Sequence, residues 1–341
     1  MDAVSYDRSE HVDALDERII HCLQVAGRAP FAVISEVLGV SEQTVSRRYR
    51  RLHGAGLIRV VGLVNPVPMG QTAWGVRLRC RPSATLEIAR ALARRDDVSW
   101  VSIAAGGTEV ICVLRARSDA DRNALMLDQL PRTAQVHGID AFAYLHVFRA
   151  STTNDWRLGE RFLSDQDTAR LVAAQPAYDG RLDSLSPEDE ALVQVLGSDG
   201  RASYARLAAA TGWSEGRVAR RLAQLIGAGL IYLDVDLVMP RLGMTTSALL
   251  SLSVEPAHLA AIGEAMARHD QVVFVGATTG RSNLGVNVVC RSADELYRFV
   301  TADLGSQTGV SHVETTLIAT TLKQAGSALE DGRLALPVSR R

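Results

Sequence analysis

The sequence predicts an α+β chain that carries one plan twice: a winged or three-helix helix-turn-helix unit, then a βαββαβ domain of ferredoxin-like order. Three observations predict it. Residues 16–58 realign without a gap on residues 189–231, with 19 of 43 positions identical, too many for helical segments converging on a common pattern. Each copy shows three helix-like stretches, with a glycine after the second (Gly39, Gly212) and a serine before the third (Ser41, Ser214). Each copy then changes texture, to short apolar runs alternating with amphipathic stretches.

The register of the repeat is unambiguous. Gly27, Arg28 and Ala29 fall on Gly200, Arg201 and Ala202, an offset of 173 that also carries Arg48 to Arg221 and Leu57 to Leu230. After one inserted residue the match continues at 174, with Trp100 on Phe274, Gly106 on Gly280 and Arg149 on Lys323.

In the first copy, apolar spacing at Ile19, Ile20 and Leu23 predicts a helix from Asp16 to about Val25. A second covers Phe31 to Leu38, and Gly39 breaks it. Ser41 caps a third that runs to about His53, with Val45, Tyr49 and Leu52 on its inward stripe. A glycine-marked turn leads into a strand at 59–66. In the second copy Val218, Leu222 and Leu225 form the stripe, and the exit strand is 232–239. The βαββαβ order then reads as strand 72–81, helix 83–95, strands 98–105 and 109–116, helix 118–130 and strand 139–149. It repeats at 245–254, 256–269, 271–279, 284–291, 292–304 and 312–322.

The resulting domains are 13–60 and 186–233 for the helix-turn-helix units, and 70–150 and 243–325 for the sheet domains. A sheet with helices on one face leaves its other face needing a partner, which the second copy supplies. Residues 1–12 read as a polar tail. The stretch 151–185 has no counterpart and reads as a linker with a short helix near 165–174, long enough to let the halves choose their relative orientation.

Composition excludes several classes. A chain of 341 residues, 47% hydrophobic, 22% charged and with net charge −1, is an ordinary globular protein. Cys22, Cys80, Cys112 and Cys290 make no CxxC pair, so neither a disulfide framework nor a metal site is expected. No apolar run approaches 18 residues and no leader opens the chain, so a cytoplasmic protein without membrane contact is expected. Lys323 is the single lysine.

The near-zero net charge hides a local bias. Arg47, Arg48, Arg50, Arg51 and Arg59 stand against Glu42 alone, and Arg217, Arg220 and Arg221 against Glu215. Cationic side chains on a third helix neutralise phosphates, and donors on its N-terminal half reach base edges in the major groove. The inward stripe leaves Gln43, Thr44, Ser46 and Arg47 pointing outward, and Gln and Arg suit bidentate contact with adenine and guanine. Gln43, Thr44 and Arg47 are therefore assigned to bases, and Arg48 and Arg51 to phosphates or an intramolecular anchor. Ser41 and Ser46 complete the first candidate surface, and Ser214, Arg217, Arg220 and Arg221 form the second. Outward positions differ between copies (Gln43 against Gly216, Thr44 against Arg217, Arg51 against Gln224), which predicts unlike half-sites on double-stranded DNA.

The segments VSEQTVSRRYRRLHGAGLI (40–58) and WSEGRVARRLAQLIGAGLI (213–231), each preceded by GR after an acidic first helix and followed by a strand, a βαββαβ domain and a terminal Arg or Lys, resemble the Lrp/AsnC (feast/famine) family. The resemblance covers about 280 residues and implies a transcription regulator. It implies sheet domains of the RAM type that dimerise and bind an amino-acid-like effector, and further assembly into homo-oligomers. It places the effector near a glycine turn that usually reads TGxxD. Here that turn reads AAGGTEV (104–110) and TTGRSNL (278–284), which implies Ala105, Gly106 and Glu109 in one copy and Thr279, Gly280 and Asn283 in the other. Glu109 and Asn283 stand at the aspartate position, so an amino-acid preference does not carry over.

Enzyme motifs are missing from the sequence. It contains no P-loop, no GxGxxG after a strand, no HExxH and no nucleophile elbow, and its eight histidines are scattered. No catalytic residue, metal or cofactor is expected. The competing reading is a protein-interaction module whose helix-turn-helix units no longer bind DNA.

Overall fold

The computed structural model describes residues 12–335, apart from 117, 151–162, 176–177, 179 and 181. Residues 1–11 of the expected tail, and part of the expected linker, therefore lie outside the described residues. Each helix-turn-helix unit is built from local signals the sequence carries. Helix α1 (Ala14–Val25) starts at a capping box made by Asp13 and Asp16. α2 (Phe31–Leu38) ends at Gly39, whose φ of 67° is a left-handed conformation that glycine adopts without strain. The Ser41 side chain accepts the Thr44 N–H at the start of α3 (Glu42–Gly54). Burial of Ile19, Ile34, Val45 and Leu52 closes the unit on its own core. The second unit repeats this with α7 (Glu190–Ser198), α8 (Tyr204–Thr211) and α9 (Glu215–Gly227), capped by Ser214.

The two exit strands, β1 (Ile58–Val64) and β6 (Ile231–Leu237), pair with each other antiparallel over seven facing positions. Val61 faces Asp234, its own counterpart at the 173 offset. A pseudo-two-fold axis therefore passes through that pair and relates the two heads.

The first sheet domain has β2 (Trp74–Cys80), α4 (Thr85–Ala93), β3 (Val98–Ala104), β4 (Glu109–Leu114), α5 (Asp119–Asn123) and β5 (Val136–Arg149). After α5 the helix widens over Ala124–Gln129. A linker helix, α6 (Asp165–Ala173), follows. The second domain has β7 (Thr246–Val254), α10 (Leu259–Met266), β8 (Val272–Thr278), β9 (Leu284–Cys290), α11 (Ala293–Arg298) and β10 (Val310–Lys323).

The long last strands join the domains. β5 pairs with β2 through Ala143, then crosses to β8 from Tyr144↔Thr278 to Arg149↔Val275. β10 pairs with β7 through Leu317, then with β3 from Ile318↔Ala104 to Lys323↔Val101. Eight strands close into a ring in the order β3-β4-β2-β5-β8-β9-β7-β10, which leaves no open edge between the copies. The strand ends act as latches across the seam. Lys323 Nζ donates to the Arg95 carbonyl at 2.6 Å, and Arg149 donates to the Ala267 and His269 carbonyls at 2.8 and 2.6 Å. Each cation thus sits at the C-terminal end of a helix in the other half, where backbone partial charge is negative.

The expectation that the linker lets the halves choose their orientation is corrected. Paired β1 and β6 and the shared strands fix that orientation, because backbone hydrogen bonds in register admit one arrangement. The described part of the linker is packed as well. Leu163 and Leu171 are buried in the first unit's core, and Arg170 pairs with Glu36 at 2.8 Å.

A hairpin that the sequence reading left unassigned, β11 (Ala328–Glu330) and β12 (Arg333–Ala335), covers the first head through a Leu334 N–H bond to the Gly56 carbonyl. The turn before it is held by buried Asp236, whose carboxylate accepts the N–H groups of Ala325, Gly326 and Ser327.

Candidate nucleic-acid interface

The third helices carry adjacent arginines whose fates differ. Arg48 pairs with Asp13 at 2.6 Å and Asp16 at 3.0 Å, and Arg51 also pairs with Asp16, which is fully buried. In the second unit Arg221 pairs with buried Asp189 at 2.6 Å through two donors. Asp16 and Asp189 are counterparts, as are Arg48 and Arg221. The same bond therefore ties the third helix to the start of the first-helix segment in both units. A guanidinium spent on a buried carboxylate is not free to reach phosphate, so these arginines serve as intramolecular anchors, one of the two roles expected for Arg48 and Arg51. For Arg221 the anchor replaces the assigned DNA contact. Arg48 holds the Asp13 carboxyl below its ordinary value, chiefly through its hydrogen bonds.

Arg47 and Arg220 are the residue before the anchor in each unit, and they are counterparts. Both are exposed, and among the described residues neither makes a hydrogen bond or ion pair. One residue of helix turns a side chain by about 100°, which is enough to separate a solvent-facing cation from a buried anchor. Gln43 is exposed beside Arg47, and Arg50 donates to the Ser46 hydroxyl at 2.7 Å. Ser41 is occupied as the cap and shares a hydrogen bond with Thr44 Oγ1 at 2.9 Å, and Ser214 is likewise the cap of α9. Arg217 pairs with Glu188 at 2.5 Å and lies 4.1 Å from the centre of the Trp213 ring.

Sequence reasoning missed the residues that hold the two heads together. Arg28 donates to the carbonyls of Gly200 and Ala202, and Arg201 donates to those of Gly27 and Ala29. Arg28 also lies over Tyr204, and Arg201 over Phe31 and Tyr49. Burial lowers the pKa of both guanidinium groups. The carbonyls and ring faces offset that cost. The signal was the identical Gly-Arg-Ala in both copies, which a two-fold contact would use twice.

At the turns expected to hold an effector, the polar side chains have internal partners. Arg77 bridges Glu109 and Glu314, both at 2.8 Å, and thereby links the two halves. The Asn283 amide bonds both backbone groups of Val254. Thr279 Oγ1 accepts the Ala143 N–H. Ala105 and Gly106 are exposed with φ of 50° and 66°, and Gly280 has φ of 104°. A separate open cleft of about 300 Å³ lies beside the start of β2, lined by Gln71, Trp74, Ser118, Arg122 and Tyr144. Among the described residues no helix is long and apolar enough to cross a membrane.

Comparison with known proteins agrees with the duplicated plan. Residues 12–53 and 188–226 each match the AsnC-type helix-turn-helix domain, and residues 247–328 match the Lrp/AsnC ligand binding domain. An uncharacterized HTH-type transcriptional regulator of Pyrococcus furiosus is 29% identical over 147 residues, covering 99% of its own length and 40% of this chain. The HTH-type transcriptional regulator FL11 of Pyrococcus abyssi is 26% identical over 143 residues, covering 94% of its length and 41% of this chain. Among solved structures, the siroheme decarboxylase NirDL shares the fold across 90% of this chain and 92% of its own, with a TM-score of 0.56 and 12% identity.

Proposed function

On the premise that this chain is a tandem protein of the Lrp/AsnC family, we propose that it is a sequence-specific regulator that binds double-stranded DNA and responds to a small-molecule, amino-acid-like effector. The observation that carries the reading is the pair Arg47 and Arg220. They are exposed cations at counterpart positions on two third helices, related by the axis through Val61 and Asp234. Two equal protrusions about a two-fold axis match a duplex, whose own dyads relate its strands. One chain thus supplies what a dimer of single-copy relatives would supply, with outward residues that differ between the heads.

The NirDL scaffold leaves open a catalytic use of the same fold. What supports a regulator is identity of 25–29% to regulators along more than nine tenths of their lengths, against 12% to the decarboxylase. Further assembly of chains, and action in the cytoplasm, belong to the same proposal.

The test is binding of the full chain to genomic fragments across a salt series. Affinity falls steeply with salt, and Arg47→Ala with Arg220→Ala removes most of it. Binding that is absent or insensitive to salt favours an interaction module instead. Mixing the chain with an iron–uroporphyrin III analogue leaves the pigment's absorption unchanged on this reading, and a shifted band favours the enzyme. A metabolite screen by thermal shift identifies the effector class.

A further inference from the structure

Glu188, Trp213 and Arg217 form a linked set at the entrance of α9 that the first head lacks. Arg217 Nη2 lies 2.5 Å from Glu188 Oε2, and its guanidinium carbon lies 4.1 Å from the Trp213 ring centre. The counterpart positions in the first unit hold Leu15, Val40 and Thr44. Arg217 is the third residue of its helix, just after the Ser214 cap, in the turn from which such helices reach base edges. Its side chain is 56% exposed and that of Glu188 is 65% exposed, so both face a partner arriving at the helix.

Resting on the DNA-binding reading above, we infer that the second head is the more discriminating one, with Arg217 reading a guanine, and that the first head supplies the larger share of the sequence-independent phosphate grip. Three physical points support this division. Stacking on the indole fixes the plane of a guanidinium that would otherwise lose rotamer freedom on binding. Glu188 takes one hydrogen of Nη2, and among the described residues the second Nη2 hydrogen and those on Nε and Nη1 have no side-chain partner, so a planar pair of donors remains. Guanine O6 and N7 ask for two donors in a plane.

The carboxylate then separates right from wrong sites. It repels phosphate, and a phosphate that takes Arg217 from it exchanges one anion for another. A guanine edge uses the donors that remain, so the ion pair persists in the specific complex and opposes the non-specific one. Among the described residues, the exposed Arg47 and Arg50 of the first head make no ion pair with an acid, which leaves those charges to any phosphate.

The test uses the full chain, a random-sequence duplex, and the duplex that the wild-type chain selects from a random pool. Glu188→Gln is expected to bind the random duplex about two- to fivefold more tightly, the range of an exposed ion pair. Its salt dependence steepens by about one phosphate, and its selected sites lose the guanine in one arm. Trp213→Ala weakens the selected duplex by about tenfold through that same arm and leaves the other arm unchanged. Arg217→Lys keeps random-duplex binding but loses guanine selection, because an ammonium has no planar fork. Glu188→Gln with unchanged random-duplex affinity and salt slope, or the same guanine selected by all three variants, overturns the inference while leaving the regulator intact. A wild-type chain that binds no duplex sinks the parent reading and this one together.

Discussion

Arg28 and Arg201 hold each other's loops: Arg28 donates to the Gly200 and Ala202 carbonyls at 2.7 and 2.9 Å, and Arg201 returns the contact to Gly27 and Ala29 at 2.6 and 3.0 Å. The two heads are locked by one residue used twice about the pseudo-two-fold axis. Replacing Arg28 by Met strands two carbonyls at the interface. Unfolding free energy should fall by about 2–4 kcal/mol, set by the loss of two charge-assisted bonds that do not add fully. DNA affinity should drop with it, because the spacing of the third helices is no longer fixed. A variant with wild-type urea midpoint and affinity shows that β1–β6 pairing alone sets the heads.

Adjacent arginines should separate cleanly by assay. Arg47→Ala and Arg220→Ala leave stability within about 0.5 kcal/mol and each reduces the salt slope of DNA binding by about one. Arg221→Met leaves the buried Asp189 carboxylate without its cation. It should cost about 2–4 kcal/mol, below the full penalty for breaking a buried pair, since 19% of the Arg221 side chain remains in solvent. Equal losses of affinity in the Arg220 and Arg221 variants at equal stability refute the division into reader and anchor.

Stability should respond to acid through the anchors. Hydrogen bonds from Arg48 lower the Asp13 pKa, and at Asp189 burial pushes upward but the bonds from Arg221 and Ser186 outweigh it. A carboxyl with a depressed folded pKa adds stability that is present at neutral pH and lost as pH falls through that value, below about 4. Asp236 has the opposite sign. Burial raises its pKa despite three backbone donors, so its contribution is complete below about 4 and declines as pH rises through the raised value. Urea midpoints between pH 3 and 8 should show a shallower acid limb in Arg221→Met and a smaller decline above pH 4 in Asp236→Asn. Limbs identical to wild type count against both assignments.

The single lysine offers a probe of the seam. Lys323 is 9% exposed, donates to the Arg95 carbonyl, and has its pKa lowered by burial. An amine-reactive label should reach Lys323 slowly in the folded chain and quickly in urea. Labelling at equal rates in both means that the crossing end of β10 is not held against the first domain.

The operator should be an imperfect inverted repeat, its two arms opposite in direction but unlike in sequence. The axis through Val61 and Asp234 demands inversion, and the pairs Gln43/Gly216 and Thr44/Arg217 demand the difference. Footprinting is expected to protect two arms about one helical turn apart, near 34 Å or a multiple of it, with distinct sequences. A direct repeat, or two identical arms, excludes this geometry.

The effector turns were legible as turns but not as sites. Glycine at 106 and 280 marks the backbone conformation, and the structure bears positive φ at both. The sequence offered no hint that Glu109 is engaged by Arg77, or Asn283 by the backbone of Val254. Those partners lie on other strands, and strand pairing is a non-local event that spacing along the chain does not encode.

The amino-acid string by itself determined the duplication, the helix-turn-helix punctuation, the βαββαβ order and which helices carry the charge. These rest on short-range rules: caps, glycine stops and the periods of 3.6 and 2. Only the folded chain decided that Arg48 is spent on Asp13 and Asp16 rather than on phosphate, that β1 takes β6 as its neighbour, and that the linker joins the first core. Each of these is a choice among chemically equal partners, made by which segments the packed heads and their paired exit strands bring within a few ångströms.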